Sequence, residues 1–365
     1  MSKKKLLILL SSFSGGGAER VTINLANHFY NNNIDVSFLV FSDSGEMKSE
    51  VNKDIKIYEM KSKRARYSLF TLSKKINEIC PDIVFSTLGP LNIVLLMIRH
   101  RLKSKPKIIC REANFISIDK QRYSVLVKHM LSFLYKIYYP KADVIVAQCE
   151  AMKEEIENFC EYKKKSNVVR IYNPVNDVKI DYLKKEKNVY NSKKINLVTV
   201  GRLTYQKGYD MLIDIFAELH KEYENANLHL VGTGEMELEL KNKVKTLNLE
   251  NEIIFHGYQS NPYVYIEQAD CFLLSSRWEG FPNVLIESII CETPIVSFNC
   301  KSGPNEIIPS NGVIGELVEC FNENEFAEKI KKVLSTTFEK KSFYDCRQKY
   351  LMNEIAKEYE KIFFS

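Results

Sequence analysis

Residues 271–287 read Cys-Phe-Leu-Leu-Ser-Ser-Arg-Trp-Glu-Gly-Phe-Pro-Asn-Val-Leu-Ile-Glu. Cys271 to Leu274 is a short, wholly apolar run, the form taken by a strand buried on both faces of a parallel sheet. A loop follows, with Gly280 at its turn. Pro282 fits the first turn of a helix, where its missing N–H costs nothing. The stretch is therefore strand, loop, helix N-terminus. The amides and positive dipole end of such a helix favour an anion. Glu279 falls in the loop, and Glu287 falls one to two turns inside the helix. An ionised carboxylate accepts hydrogen bonds and donates none, so it suits a diol. A phosphate flanked by two hydroxyl-rich groups is the chemistry of a nucleotide sugar. Two glutamates eight apart also occur on solvated helix faces, and the spacing alone does not separate the two readings.

Outward from this stretch, strands and helices alternate. In the first half, strands are expected at Leu6–Leu10, Ile34–Phe41, Ile55–Tyr58, Ile83–Ser86, Ile108–Cys110 and Val144–Ala147. Helices are expected at Ala18–Tyr30, at Leu69–Ile79 and over Gln121–Tyr139. The second half restarts the pattern. Strands are expected at Ile195–Val200, Asn227–Val231, Ile253–Phe255, Cys271–Leu274, Ile295–Phe298 and Gly315–Val318, with a helix at Gly208–Leu219. This rhythm predicts an α/β fold with two doubly wound, Rossmann-like domains. Gly201, Gly232, Gly257, Glu279 and Gly303 fall at carboxyl ends of strands, where such sheets bind ligands. The final stretch, Tyr350–Phe364, reads as a charged amphipathic helix with Leu351, Ile355, Tyr359 and Phe363 on one side.

A chain of 365 residues suits about two domains. With 45% hydrophobic and 27% charged residues, it can bury a substantial core. The formal charge of +6 is modest, and no nucleic-acid signature accompanies it. The nine cysteines form no Cys-x-x-Cys pair and read as buried free thiols of a cytosolic protein. Leu6–Leu10 is too short for a membrane span and runs into Ser14-Gly15-Gly16-Gly17, with no convincing cleavage site. It reads as a first strand. The glycine turn could take a phosphate or a sugar edge, or be only a turn.

From Arg99 to Lys136, ten basic residues face two acidic ones, Glu112 and Asp119. Phe115, Tyr123, Phe133, Leu134, Tyr135, Tyr138 and Tyr139 are interleaved with them or follow directly. Basic plus aromatic character suits an anionic bilayer surface; a core helix with a solvated basic edge is the other reading. His256 at a strand end reads as a structural histidine, and the turn Gly257-Tyr258 as a candidate contact for a base.

SSRWEGFPNVLIES at 275–288 resembles the Glu-x7-Glu signature of family-4-type, retaining glycosyltransferases of the GT-B fold. SGPNEII at 302–308 resembles the same family's following motif, and GGGAER at 15–20 its first loop. GRLTYQKG at 201–208 resembles the segment in which an arginine and a lysine clamp the donor diphosphate. The likeness implies an acceptor domain at 1–173, a donor domain at 174–349 and a last helix, 350–365, crossing back to the first domain. Ile171-Tyr172-Asn173-Pro174-Val175 is the implied hinge, and the first loop is expected to face the cleft between domains.

The resemblance also implies site residues. Arg202 and Lys207 would hold the diphosphate, Glu279 the transferred sugar and Glu287 the ribose. Gly280, Phe281, Pro282, Asn283, Val284, Gly16, Gly17, Gly257 and Tyr258 would line the donor. Many relatives carry a histidine in an Arg-Glu-His-Asn segment. Here Arg111-Glu112-Ala113-Asn114 has alanine at that place, so Arg111, Glu112 and Asn114 are the acceptor-side candidates. No Asp-x-Asp occurs in the chain, and no metal or other cofactor is expected, because two cations and a helix tip can neutralise a diphosphate. The implied donor is a nucleotide sugar, weighted toward UDP, and the implied acceptor a lipid-linked or oligosaccharide glycan. The implied place is the cytoplasm, at the inner face of the membrane. A nucleotide-sugar 2-epimerase of the same fold and a non-catalytic nucleotide-sugar-binding scaffold remain as alternatives.

Overall fold

The computed structural model describes residues 4–14, 16–60, 69–121, 124–160, 167–185, 189–191, 193–301 and 303–364. Gly15, Arg122, Tyr123 and Ser302, named above, lie outside the described residues. The chain divides into two compact units, Met1–Val175 with Met352–Ser365, and Asn176–Leu351. The division falls two residues beyond Asn173 because that residue is packed into the first unit: its side chain is buried against Arg111 and Gln148.

The first unit is built on a parallel sheet of seven strands. They are β1 (Lys5–Leu10), β2 (Asp35–Val40), β3 (Lys56–Glu59), β4 (Ile83–Thr87), β5 (Lys107–Arg111), β6 (Val144–Ala147) and β7 (Val168–Arg170), in the order β3-β2-β1-β4-β5-β6-β7. The apolar run Leu6–Leu10 has the central place, with Leu6 opposite Val36 on one side and Ile83 on the other. Strand order reverses between β1 and β4. Helix Gly17–Asn31 follows β1 and buries Val21, Leu25 and Phe29. The last helix is Met352–Phe364, starting after Tyr350 and Leu351 because residues 348–350 close a separate 3-10 turn. It packs in the core of the first unit, Phe363 against Phe29 and Phe85, and Tyr359 against Phe85. Burying each such ring stabilises by roughly 1.5–3 kcal/mol.

The second unit has six parallel strands: β8 (Ile195–Val200), β9 (Ala226–Val231), β10 (Ile253–Gly257), β11 (Cys271–Leu274), β12 (Ile295–Phe298) and β13 (Gly315–Val318). Their order is β10-β9-β8-β11-β12-β13, with the reversal between β8 and β11. Ligands of open parallel sheets bind outside the carboxyl ends of the strands, where the order reverses. The loops at that point are the two singled out in the sequence, 201–208 after β8 and 275–282 after β11. The two sheets with flanking helices are the α/β, doubly wound architecture the alternation predicts.

Several expectations need correction. The expected helix Gln121–Tyr139 is two, Ile116–Gln121 and Val125–Tyr138, followed by a 3-10 turn at Tyr139–Lys141. Pro282 caps its helix instead of sitting in the first turn; the helix is Asn283–Ile290. Strand β7 and the buried apolar helix Gly89–Ile98 had no periodic signature to announce them. All nine cysteines are free, but Cys80 is exposed and Cys320 and Cys346 are half-buried.

Candidate active site

The loop after β8 is held to the sheet by backbone bonds from Gly201 to Val231 and from Leu203 to Thr233. It closes through a 3-10 turn at Tyr205–Lys207 and reaches helix Tyr209–His220 through Gly208. Gly208 has φ +66°, and a Cβ there would stand 2.2 Å from the Ser275 carbonyl oxygen. Glycine is needed both for the left-handed backbone and for this approach to the second loop. The second loop leaves β11 and enters helix Asn283–Ile290. Gly303, at φ +86°, packs on it, and a Cβ there would lie 2.6 Å from Pro282 Cδ.

The Lys207 Nζ donates to Glu279 Oε1 at 2.7 Å, across 72 positions of sequence. Ser276 Oγ donates to the same carboxylate oxygen at 2.5 Å, and Ser275 Oγ to the Lys207 carbonyl at 2.9 Å. Burial works against the Lys207 ammonium, but the Glu279 carboxylate outweighs it, and the lysine is held above its usual value. It is therefore charged throughout the neutral range. Arg202 lies in the same loop, exposed, with no ion pair to any described residue. Glu287 projects from the second turn of the helix, 9% exposed. Gly280, Phe281 and Pro282 are buried, and Asn283 and Val284 half-buried. A cation paired to a carboxylate and a helix start thus meet at the reversal of strand order, and the loop that carries the paired lysine also carries the exposed Arg202. That assembly can hold a polyanion and orient hydroxyls beside it.

Gly257 ends β10 at φ +66° with open space around it, and Tyr258 beyond it is 62% exposed. His256 is spent inside the unit. Its Nε2 lies 3.0 Å from His229 Nδ1, and His229 Nε2 lies 3.1 Å from Asn196 Oδ1. The Asn196 amide nitrogen donates to the Asn191 and Lys194 carbonyls, so its oxygen faces His229 and accepts. His229 Nε2 therefore carries a proton and donates to Asn196 Oδ1. Burial, with His256 beside it, lowers His229 to about 3; burial lowers His256 as well.

In the first unit, Gly16 is extended and half-buried, and Gly17 opens the first helix. Arg111 and Glu112, two of the acceptor-side candidates, are buried. Arg111 ends β5, an interior strand, and is 0% exposed; Glu112 is 1% exposed. The Arg111 guanidinium donates to Thr87 Oγ1 at 3.1 Å and to Asn173 Oδ1 at 2.5 Å. Glu112 accepts from Asn92 Nδ2 at 3.2 Å. Burial lowers Arg111, opposed chiefly by Tyr359 of the last helix. Both residues are parts of an internal network. Asn114 and Ala113 are half-buried.

The basic, aromatic region also divides. Phe115, Tyr135 and Tyr139 are core residues. Leu126, Met130, Phe133 and Ile137 form an exposed stripe along helix Val125–Tyr138, at 81%, 53%, 62% and 37% exposure. Among the described residues no helix is long and apolar enough to cross a membrane, and no group of three or more His, Cys, Asp or Glu could hold a metal ion.

Comparison with known proteins bears on this site. Residues 182–345 match the family described as Glycosyl transferases group 1, and residues 15–179 match Glycosyltransferase Family 4. An N-acetylgalactosaminyltransferase of Campylobacter jejuni, named as acting on a diphospho-undecaprenol-linked sugar, is 30% identical over 91% of this chain and 90% of its own. This chain belongs to family 4 of the glycosyltransferases, with the GT-B fold. The amylovoran biosynthesis glycosyltransferase of Erwinia amylovora is 29% identical over 93% of this chain and 92% of its own. Among solved structures, a lipopolysaccharide outer core galactosyltransferase superposes with a TM-score of 0.76, at 22% identity over 99% of both chains. The Anabaena protein HepE, solved with UDP-glucose, does so at 0.78, with 19% identity over 98% of both. At these identities the structural matches speak for the fold. The enzyme is thus a glycosyltransferase, and the sequence resemblance named its family correctly.

Proposed function

We propose that this glycosyltransferase takes a sugar from a nucleotide diphosphate donor, UDP-linked, and adds it with retention of configuration to a lipid-linked or oligosaccharide acceptor in cell-surface polysaccharide synthesis. The observation that carries the reading is the meeting of Lys207 and Glu279 at the strand-order reversal of the second unit, in loops that also carry the exposed Arg202 and a helix start. Arg202 and Lys207, with the helix start after Pro282, hold the diphosphate as its charge grows during bond cleavage. Arginine supplies a planar fork and lysine a point charge. Glu279 orients sugar hydroxyls, and Glu287 accepts from the ribose. With no enzyme nucleophile in the proposal, the acceptor attacks from the face the leaving phosphate departs, and a phosphate oxygen takes its proton. Two cations do the neutralising, so the reaction is metal-independent: activity persists after chelation, and rescue by magnesium or manganese would argue otherwise.

The names of the relatives, a diphospho-undecaprenol glycan extender and an amylovoran enzyme, support the acceptor class, and the UDP-glucose complex of HepE supports the base. The stripe Leu126, Met130, Phe133 and Ile137, with Lys136 and His129 exposed beside it, supports reversible docking on an anionic membrane at its cytoplasmic face. The deciding experiment is mass spectrometry of lipid-linked oligosaccharides from cells with the active enzyme and with a Glu279→Gln variant. A glycan one sugar shorter in the variant is expected. Purified enzyme given UDP-sugar without acceptor should release sugar slowly; a new epimer would instead identify a 2-epimerase, and no turnover with any acceptor a binding scaffold.

A further inference from the structure

The two loops of the site leave paired strands, and beyond the strand ends one backbone bond and several side-chain links hold them together. Lys207 and Glu279 are one link. A second lies beside it. Arg277 stands two residues before Glu279, and Asp210 three after Lys207. Arg277 Nη1 donates to Asp210 Oδ1 at 2.8 Å and Nη2 to Asp210 Oδ2 at 2.6 Å, a two-pronged pair. Nη1 also donates to the Tyr205 carbonyl at 2.8 Å, and the guanidinium lies 3.9 Å from the centre of the Tyr205 ring. The Arg277 amide donates to the Gln206 carbonyl at 2.8 Å, and Gln206 Nε2 to the Trp278 carbonyl at 3.0 Å. Residues 205–210 and 275–279 are thereby laced together, and Arg277 makes most of the stitches. The pair stays ionised: burial opposes the Asp210 carboxylate, yet Arg277 outweighs it and holds the group below its usual range. Neither side chain belongs to the set assigned to the donor.

We propose that Arg277 and Asp210 are positioning residues of the transfer reaction, setting the distance between Lys207 and Glu279 through the planar fork of the arginine. The proposal rests on the reading that Lys207 and Glu279 meet the donor. Charge alone does not perform this task, because lysine keeps the charge and loses the fork, the carbonyl bond and the ring stacking.

The test compares wild type, Arg277→Lys and Asp210→Asn, each checked for an unchanged melting temperature, in the full chain. Trp278, the single tryptophan, reports UDP binding by fluorescence, and calorimetry confirms it. Arg277→Lys should weaken UDP about tenfold, and the loss should vanish in a Lys207→Met background, since a residue acting through another is non-additive with it. Additive losses would overturn the proposal. In the unliganded protein, amide exchange at 204–208 and 275–280 should quicken about tenfold in both variants while the strands stay protected. Unchanged exchange overturns the strut whether or not UDP binds. Failure of wild type to bind UDP counts instead against the donor reading, and the exchange arm then decides the strut by itself.

Discussion

Two polar clusters sit at the carboxyl ends of central parallel strands, one in each unit, and each is built around a cation the sequence singled out. Around Arg111 the hydrogen-bonding partners are interior: Thr87, Asn173, Gln148 and Asn92 are buried, and the arginine is 0% exposed. Around Lys207 the cluster is open: the lysine side chain is 18% exposed, and Arg202 in the same loop is exposed with no ion pair among the described residues. A charge at a strand end is thus no sign of a site by itself. The Arg111 cluster ties β4, β5 and the 173 segment together, and its guanidinium is spent on interior partners. The Lys207 cluster pairs its lysine with a carboxylate and leaves Arg202 of the same loop exposed, the arrangement the proposed polyanionic donor would use.

The largest effect is expected where the cluster is closed. Arg111→Met removes a buried donor and leaves Asn173 Oδ1 and Thr87 Oγ1 without it, so chemical denaturation should show a loss of about 1–3 kcal/mol for each group stranded. A loss of activity at unchanged stability would return Arg111 to the acceptor and erase the contrast. In the open cluster the order reverses. Arg202→Ala should leave the denaturation midpoint within error and lower kcat on the order of 100- to 1000-fold, more than it raises the donor KM. Unfolding with intact kinetics would make Arg202 another structural cation.

A buried chain inside the second unit sharpens the comparison. His229 and His256 are held below the ordinary histidine value of 6.5, so below that pH the unfolded chain binds more protons than the folded one. Their contribution is complete above pH 6.5 and is lost as the pH falls toward the folded value, about 3 for His229. Stability should drop by about 2 kcal/mol between pH 7 and pH 5 through His229 alone, and a His229→Gln protein should lack that slope. The smallest effect concerns Glu287. Glu287→Gln keeps the shape and removes the charge that strengthens bonds to ribose hydroxyls, so the donor KM should rise about tenfold with kcat little changed. Wild type should discriminate against a 2′-deoxy donor, and the variant should not; equal use of both donors by wild type would detach this helix from the ribose.

The exposed stripe offers the same kind of contrast on one helix. Tyr135 is buried, whereas Phe133 two residues earlier faces solvent. Co-sedimentation with anionic vesicles should fall as salt rises and fall further in Phe133→Ser. Equal partitioning onto neutral vesicles would remove charge from the account.

What the sequence determined by itself is local. Apolar runs of four to six residues between helical patterns specify parallel strands, and Ile195–Val200, Cys271–Leu274 and Ile295–Phe298 stand where the runs put them. The loop after Cys271–Leu274 and the helix that follows were legible for the same reason, since period and capping act over a few residues. The tertiary structure decided which of these neighbours meet. Lys207 meets Glu279 because β8 and β11 pair across the reversal of strand order, a pairing no periodicity encodes. Arg277 meets Asp210 across 67 positions for the same reason. Arg111 and Lys207 look alike as basic residues at strand ends, and only packing separates them. β4 and β6 flank Arg111, Asn173 and Tyr359 close over it, and water is excluded; the loop of Lys207 stays at the rim, where Arg202 keeps its charge in solvent. Burial of a side chain is a property of everything folded around it, and so it was settled only when the sheets had formed.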